Sequence, residues 1–145
     1  PRLPFKFYED LNAFKLFMLD VGLMGAMAET SAESMLVGDN VFSEYKGAFT
    51  ELFVFTQLKS RHFSLYYHAV ESSTIEIDFL TQWHDRVIPI EVKAEVNVKA
   101  KSLHTFINNN PELQGLRFSM LPYKKQDWVI NVPLYACLVP FDYYR

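Results

Sequence analysis

Residues 75–93 contain two alternating apolar and polar segments on either side of a short polar turn, and this pattern constrains the fold more than any other part of the chain. The segments 75–81 and 87–93 are rich in β-branched residues, which are typical of strands. Because alternate residues of a strand face opposite sides, each segment has one apolar face and one face that carries charge. The sequence therefore predicts an antiparallel β-hairpin with its turn centred between His84 and Asp85.

The remaining segments predict an α/β fold with a mixed sheet. A helix is predicted for 47–60, which has a long apolar pattern without proline, and another for 99–109, which ends before Pro111. Asp20 is expected to cap a helix over 21–29. Further strands are predicted for 14–19, 63–68, 116–120, 128–131 and 134–138, and 29–46 is interpreted as a connection with weak helical content. The resulting mixture of strands and helices favours a mixed sheet.

Length and composition are those of one globular domain. The chain has 145 residues, of which half are apolar and 21% are charged, so it is not a disordered polyelectrolyte. A net charge of −3 excludes a strongly basic DNA-coating protein but leaves room for a local basic patch. The single cysteine, Cys137, excludes an internal disulfide and a cysteine-based zinc site, and it is expected to be buried. No GxxxxGK or GxGxxG nucleotide-binding loop is found in the sequence.

The predicted hairpin register brings two carboxylates together. With a loop of even length, Asp78 lies opposite Glu91 and Glu76 lies opposite Lys93. Directly opposed side chains have Cβ atoms about 4.5–5.5 Å apart, so Asp78 and Glu91 repel each other unless a cation lies between them. Mg²⁺ suits such a site, and Lys93 can orient or activate a metal-bound water. The alternative is that this Glu-x-Lys marks a solvated sheet face.

Glu51 is a third candidate carboxylate. It is the only charged residue between Lys46 and Lys59, on a helix that is apolar nearly all round and is therefore expected to be buried. A lone carboxylate in such surroundings is costly unless it meets a cation, a donor or a metal. Two interpretations stay open: Glu51 is a site residue, or it lies in the first turn of its helix and interacts with the helix dipole.

These segments together resemble a known domain family. The helix GAFTELFV, the hairpin segments EIDF and IEVK, the KSL helix, the late PLY strand and the opening KLFMLDVGLMGAM resemble the C-terminal domain of unknown function of bacterial and archaeal AAA-superfamily ATPases. The resemblance covers about residues 14–138. It implies one domain over 1–145, with 1–46 as a lead-in and 47–138 as the core. It also implies, as does the start at Pro1, a C-terminal fragment of a larger protein whose ATPase module precedes this domain.

That family is similar in its core to the PD-(D/E)XK nucleases, whose restriction-endonuclease-like fold has three layers, with a central mixed β-sheet flanked by helices. Asp78 matches the motif's Asp, Glu91 and Lys93 match the (D/E)xK, and Glu51 matches the acidic residue of the first core helix; Ile77 stands where the motif has proline. The resemblance implies hydrolysis of phosphodiester bonds with Mg²⁺ or Mn²⁺. Asp78, Glu91 and Glu51 are then the metal ligands, and Lys93 completes the catalytic set.

The expected partner is nucleic acid, in particular DNA, bound weakly by the isolated domain because its net charge is negative. Phe63, Tyr66 and Tyr67 are candidates either for base stacking or for the core. The alternative function is a catalytically inactive module with the same fold that binds a partner, forms homo-oligomers or regulates the ATPase. The sequence has no secretory signal and no membrane-spanning stretch, so we expect a cytoplasmic location and no membrane partner.

Overall fold

The computed structural model describes residues 1–31, 33, 40–69, 75–95, 99–139 and 141. The helices in this part of the chain are α1 (Val21–Met27), α2 (Asn40–Ser60) and α3 (Lys101–Asn108). The strands are β1 (Leu65–Ala69), β2 (Glu76–Trp83), β3 (Arg86–Lys93), β4 (Gly115–Ser119), β5 (Lys124–Lys125) and β6 (Val129–Pro133). No helix of the described ranges is both long and apolar enough to cross a membrane.

The strands form one open mixed sheet in the order β1-β2-β3-β4-β6-β5. β1, β2 and β3 are antiparallel neighbours, β3, β4 and β6 are parallel, and β5 is antiparallel to β6. The parallel connection from β3 to β4 passes through α3, as a crossover of this kind requires. The prediction of a mixed α/β fold is therefore confirmed.

One helix packs on each face of the sheet. Val54 of α2 belongs to a buried cluster with Ile90 and Val92 of β3. Leu103 of α3 belongs to a second buried cluster, which contains Val87 of the same strand. Because Val87 alternates with Ile90 and Val92 along β3, the two clusters lie on opposite faces of the sheet.

β2 contains a bulge that changes which face its residues occupy. Asp78 and Phe79 of β2 together lie opposite the single residue Tyr67 of β1. The extra residue breaks the alternation, so that Ile77 packs in the cluster beneath α3 and Phe79 in the cluster beneath α2. The prediction that each segment has one apolar face is therefore wrong for β2, because Ile77 and Phe79 lie on opposite faces of the sheet.

The predicted helices are confirmed, with shifted ends. Asp20 caps α1 as expected, because its Oδ1 accepts a hydrogen bond of 2.8 Å from the backbone N–H of Leu23. α2 begins at Asn40, seven residues before the predicted start at Gly47. Of the predicted connection 29–46, residues 32 and 34–39 lie outside the described residues.

Two predicted strands are wrong. Residues 14–19 form no strand, because Phe17 stacks on Phe55 of α2 with ring centroids 4.0 Å apart and the segment lies against that helix. Residues 134–138 begin with a 3₁₀ helix, Leu134–Ala136, and Cys137 follows it as a buried residue, as predicted. The two-residue β5 is missing from the prediction because its two lysines carry no apolar pattern.

Gly115 marks a close approach of α3 to β4. A Cβ at this position would lie 2.9 Å from a side-chain methyl of Leu103. We expect Gly115→Ala to lower the free energy of unfolding by about 1–3 kcal/mol, because the fully buried Leu103 side chain must move to make room for the new methyl group. Gly47→Ala, at an exposed position of α2 where a Cβ meets nothing within 4 Å, is the control and should raise it by about 0.5–1 kcal/mol. Urea unfolding measures both, and a Gly115→Ala variant as stable as the wild type would contradict the close packing.

Candidate active site

Several charged side chains lie near the carboxyl ends of the parallel strands. Glu91 and Lys93 lie at the end of β3, and Arg117 lies beside Glu91 on β4. Asp78 joins them from the beginning of β2, where its Oδ2 accepts a hydrogen bond of 2.7 Å from the backbone N–H of Val92 on β3. Ligands of open α/β sheets bind at this end of the strands, so the location itself is typical of a binding site.

Glu91 is a buried carboxylate with only one of its oxygens paired. The residue is 4% exposed, and its Oε1 lies 2.5 Å from Nζ of Lys93. Its Oε2 is buried and has no hydrogen-bond partner in the part of the chain that the structure describes. The Lys93 side chain is 31% exposed, so it contacts both the buried carboxylate and the solvent. The burial of Glu91 excludes the alternative in which this Glu-x-Lys marks a solvated sheet face.

Asp78 is destabilised as a carboxylate. Its burial, and after that the neighbouring charge of Glu91, raise the pKa of Asp78 to about 7. The hydrogen bond from the Val92 N–H favours the ionised form and limits the rise. Carboxyl groups perturbed by burial and a like charge are typical of functional sites. The structure therefore brings together Asp78 and Glu91, the two residues that the sequence placed opposite each other.

The β2–β3 ladder has the predicted register. The described pairs run from the turn to the pair formed by Phe79 and Ile90, and Asp78 and Glu91 are the residues that follow this pair. Beyond it, the Asp78 side chain takes the Val92 N–H as its partner. The register that led to the candidate site is thus present over all the described pairs.

Glu51 contacts this region through Lys15. Nζ of Lys15 lies 3.2 Å from Oε1 of Glu51 and 2.7 Å from Oε1 of Glu76, the residue predicted opposite Lys93. The same ammonium lies 5.3 Å from the ring centroid of Tyr67. Its two carboxylate partners raise the pKa of Lys15 against the opposing effect of burial. Lys15 is thus a partly buried cation between the helix and the start of β2.

The position of Glu51 in its helix excludes one of the two interpretations left open by the sequence. α2 begins at Asn40, so Glu51 lies in the interior of the helix, and a dipole interaction in the first turn is excluded. The charge of Glu51 contributes to the raised pKa of Asp78, and Lys15 opposes it. Glu51 is therefore electrostatically part of the candidate site.

Arg117 belongs to the site and was missed by the sequence analysis. It is 6% exposed and is the direct ladder partner of Glu91 on one side and of Asn131 on the other. Burial lowers the pKa of Arg117, and the charge of Glu91 opposes this effect. A buried positive charge thus lies on the strand next to the carboxylate pair. The signal available in the sequence was a charged residue within the short and largely apolar segment that forms β4.

Asn131 fixes the surroundings of Arg117. Its Oδ1 accepts hydrogen bonds from Nε of Arg117 at 2.9 Å and from Oγ of Ser119 at 2.7 Å. Its Nδ2 donates to the backbone oxygens of Leu121 at 3.1 Å and Pro122 at 2.9 Å. Because buried amides bonded at both ends are rigid, this network holds Arg117 in place beside the carboxylates.

Two of the three predicted ligands fit a divalent cation. Within the described ranges, no group of three or more His, Cys, Asp or Glu side chains is arranged to hold a metal ion. Mg²⁺, however, commonly binds through one or two carboxylates and takes its other ligands from water and a substrate phosphate. The unpartnered Oε2 of Glu91, beside the destabilised carboxylate of Asp78, fits such an ion.

A cavity of about 740 Å³ borders Asp78 and Lys15. Its walls include Tyr67, Tyr8 and Phe14, and the last two side chains are 60% and 69% exposed. Of the aromatic residues considered for stacking, Tyr66 and Tyr67 line this cavity. Tyr66 also packs against one core cluster, and Phe63 packs against the other. Another cavity, of about 810 Å³, lies around the β2–β3 turn, and none of the candidate site residues lines it.

A comparison with protein families gives one match. A family model described as a domain of unknown function (DUF4143) matches residues 46–136. The matched range contains Glu51, Asp78, Glu91 and Lys93 but begins after Lys15. Neither the curated proteins nor the solved structures include a match to the chain. The activity therefore has to be inferred from the residues themselves.

Proposed function

The chain belongs to the DUF4143 family of domains of unknown function, and we propose from its own residues that it is a Mg²⁺- or Mn²⁺-dependent nuclease domain that hydrolyses phosphodiester bonds. The observation that carries the proposal is the buried carboxylate of Glu91, with Lys93 on one oxygen, no described partner on the other, and Asp78 beside it. Asp78 and Glu91 would hold the ion, which when bound polarises the phosphate and lowers the pKa of a bound water.

The restriction-endonuclease-like fold is part of this proposal. It is supported by an antiparallel hairpin that continues into parallel strands, with a helix on each face of the sheet. It is also supported by the placement of the acidic residue at the start of β2 and of Glu-x-Lys at the end of β3. An ATPase module of the same protein, preceding this domain, belongs to the same proposal.

The contacts of Lys93 and Asp78 support a role for each of them. Lys93 is partly exposed and close to Glu91, so its ammonium can orient the attacking water and stabilise charge that develops on the phosphate. The Val92 N–H fixes one oxygen of Asp78 and leaves the other for a ligand. The role of Glu51 as a third metal ligand stays a prediction, because its carboxylate contacts Lys15.

Nucleic acid is the partner that the surroundings of the site support. The aromatic walls of the cavity beside Asp78 offer surfaces on which bases can stack. The net charge of −3 provides little general attraction for phosphates. The isolated domain is therefore expected to bind DNA weakly and to depend on the rest of the protein for affinity.

Incubation of plasmid and branched DNA with Mg²⁺ or Mn²⁺ tests the proposed activity. We expect the wild type to cleave with either ion and to stop when the ion is chelated. Glu91→Gln should cleave at background level, because a neutral amide binds the divalent ion much more weakly than a carboxylate and forms no ion pair with Lys93. Glu112→Gln, at an exposed position outside the site, is the matched control and should cleave as the wild type does. Equal low-level cleavage by all three proteins would contradict a nuclease.

A second candidate function is a catalytically inactive module for partner binding, oligomerisation or regulation of the ATPase. It is favoured by large apolar side chains of the lead-in segment that are 66–88% exposed: Phe7, Leu11, Phe14, Leu16, Leu19 and Met27. Apolar surface of this kind marks interaction sites. A mass that rises with concentration in light scattering, together with no metal-dependent cleavage, would favour this function over the nuclease.

A further inference from the structure

Lys15 adds a third cation to the candidate site, besides Lys93 and Arg117. Its ammonium lies within ion-pair distance of Glu51 and Glu76, and the Lys15 and Glu51 side chains are each only 26% exposed. Its charge also acts on Asp78, where it opposes the effect of Glu51. Lys15 therefore lies between Glu51, the third predicted ligand, and Glu76 at the start of β2, close enough to Asp78 for its charge to act there.

The position of Lys15 is set by packing as well as by charge. Two residues later in the same segment, Phe17 stacks on Phe55 of α2 with ring planes 11° apart, and it also contacts Phe79 of β2 at a centroid distance of 5.8 Å. Leu16, between them, is 88% exposed, so the segment alternates between inward and outward side chains. An ammonium held by such an anchored segment loses less freedom on pairing than a surface lysine does.

We propose that Lys15 is a positioning residue that supplies a fixed positive charge in place of a second metal ion, and that Glu51 holds Lys15 instead of a metal. The inference rests on the proposed metal site at Asp78 and Glu91. Because Lys15 Nζ lies 3.2 Å from Oε1 of Glu51, a cation bound to that oxygen would displace the ammonium. The site then takes one divalent ion for each chain.

Calorimetric titration with Mn²⁺, without nucleic acid, tests this assignment, because the proposal predicts which variants bind the ion more tightly than the wild type and which do not. The wild type should bind one ion. Glu51→Gln should still bind one ion with an affinity within about threefold of the wild type, whereas loss of a true ligand weakens binding by at least about tenfold. Lys15→Met should bind Mn²⁺ about tenfold more tightly, because it removes a cation and frees Glu51. Lys15→Arg keeps the charge and should behave like the wild type.

The double variant isolates the link between Lys15 and Glu51. In the Lys15→Met background, Glu51→Gln should weaken Mn²⁺ binding about tenfold, although it has little effect when Lys15 is present; two residues in contact are expected to couple in this way. Lys46→Met is the matched control, since Lys46 pairs with Glu95 at 3.4 Å from the same helix. It should leave the affinity unchanged within about twofold.

Three outcomes would overturn the inference. They are a tenfold weakening by Glu51→Gln alone, no effect of Lys15→Met, and no Mn²⁺ binding by a wild-type protein whose thermal unfolding is cooperative. The third outcome also removes the proposed metal site. A protein that binds one Mn²⁺ with the expected pattern but cleaves no DNA would support the role of Lys15 and contradict only the nuclease activity.

Discussion

Asp78→Asn is expected to be more stable than the wild-type protein at pH 8 in the absence of metal. The Asp78 carboxyl is partly buried next to Glu91, and its pKa is raised from 3.8 to about 7. The native protein therefore holds Asp78 as a carboxylate at pH 8 against an unfavourable environment. An asparagine has nearly the same shape and can still accept the Val92 N–H through its oxygen, but it cannot ionise.

The direction of this change in stability follows from the protons that the folded and unfolded states bind. As the pH rises above about 4, the unfolded chain releases the Asp78 proton while the folded protein keeps it. The contribution of Asp78 to the free energy of unfolding is therefore most favourable at low pH, falls as the pH rises toward 7, and is least favourable above that. A shift of this size corresponds to on the order of 4 kcal/mol, so Asp78→Asn should gain up to that amount at pH 8 and less than half of it at pH 5.

Urea unfolding in the presence of a chelator at pH 5 and pH 8 measures this difference. Asp85→Asn, in the exposed turn between β2 and β3, is the matched control and should change the free energy of unfolding by less than about 0.5 kcal/mol at either pH. If Asp78→Asn has the same advantage at both pH values, the gain does not come from ionisation. If it has none at pH 8, the carboxylate is not destabilised in the fold.

A gain in stability at Asp78 would be informative about function. Residues that destabilise a fold are retained where activity needs them, and two carboxylates that repel each other in the metal-free protein are relieved by a divalent cation. Addition of Mg²⁺ should accordingly stabilise the wild type and have little effect on Asp78→Asn. This response would connect the repulsion between the two carboxylates to the ion that the proposed activity requires.

The hairpin could be predicted from the sequence because the residues that determine it are close together in the chain. Alternation along β2 and β3 and the short turn between them determine the register as far as Phe79 and Ile90. The bulge opposite Tyr67 could not be predicted in this way, because it arises from the pairing of β2 with β1. The segment IEIDF alternates regularly in sequence, and only the neighbouring strand shows that Ile77 and Phe79 occupy different faces.

The residues of the candidate site also differ in whether local sequence information could predict them. Asp78, Glu91 and Lys93 were found because they lie on the two strands of one hairpin. Lys15 and Arg117 were missed because they reach the site from segments distant in sequence, and no periodicity relates those segments to the hairpin. Residues 14–19 have the apolar composition of a strand, but their inward side chains contact α2 and β2, and that packing replaces a strand partner.

Lys93→Ala is expected to lower the single-turnover rate of DNA cleavage by about 10²–10³-fold, the range typical of a positioned proton donor or charge-stabilising group. Its ammonium lies 2.5 Å from Oε1 of Glu91, and the side chain is exposed enough to reach a bound phosphate. The affinity for DNA should change little, because one of several positive charges is lost. Lys101→Ala, at an exposed position at the start of α3, is the matched control for that charge and should leave the rate unchanged.

A loss of activity in Lys93→Ala has two separable causes, because the variant also leaves a buried Glu91 without its cation. Removal of one partner from a buried pair lowers stability, whereas replacement of both by neutral groups of similar shape restores much of it. The double variant Glu91→Gln with Lys93→Met should therefore unfold at a higher urea concentration than Lys93→Ala and still cleave at background level. If the double variant regains activity with its stability, the pair is structural. If Lys93→Ala cleaves at the wild-type rate, Lys93 has no part in the chemistry.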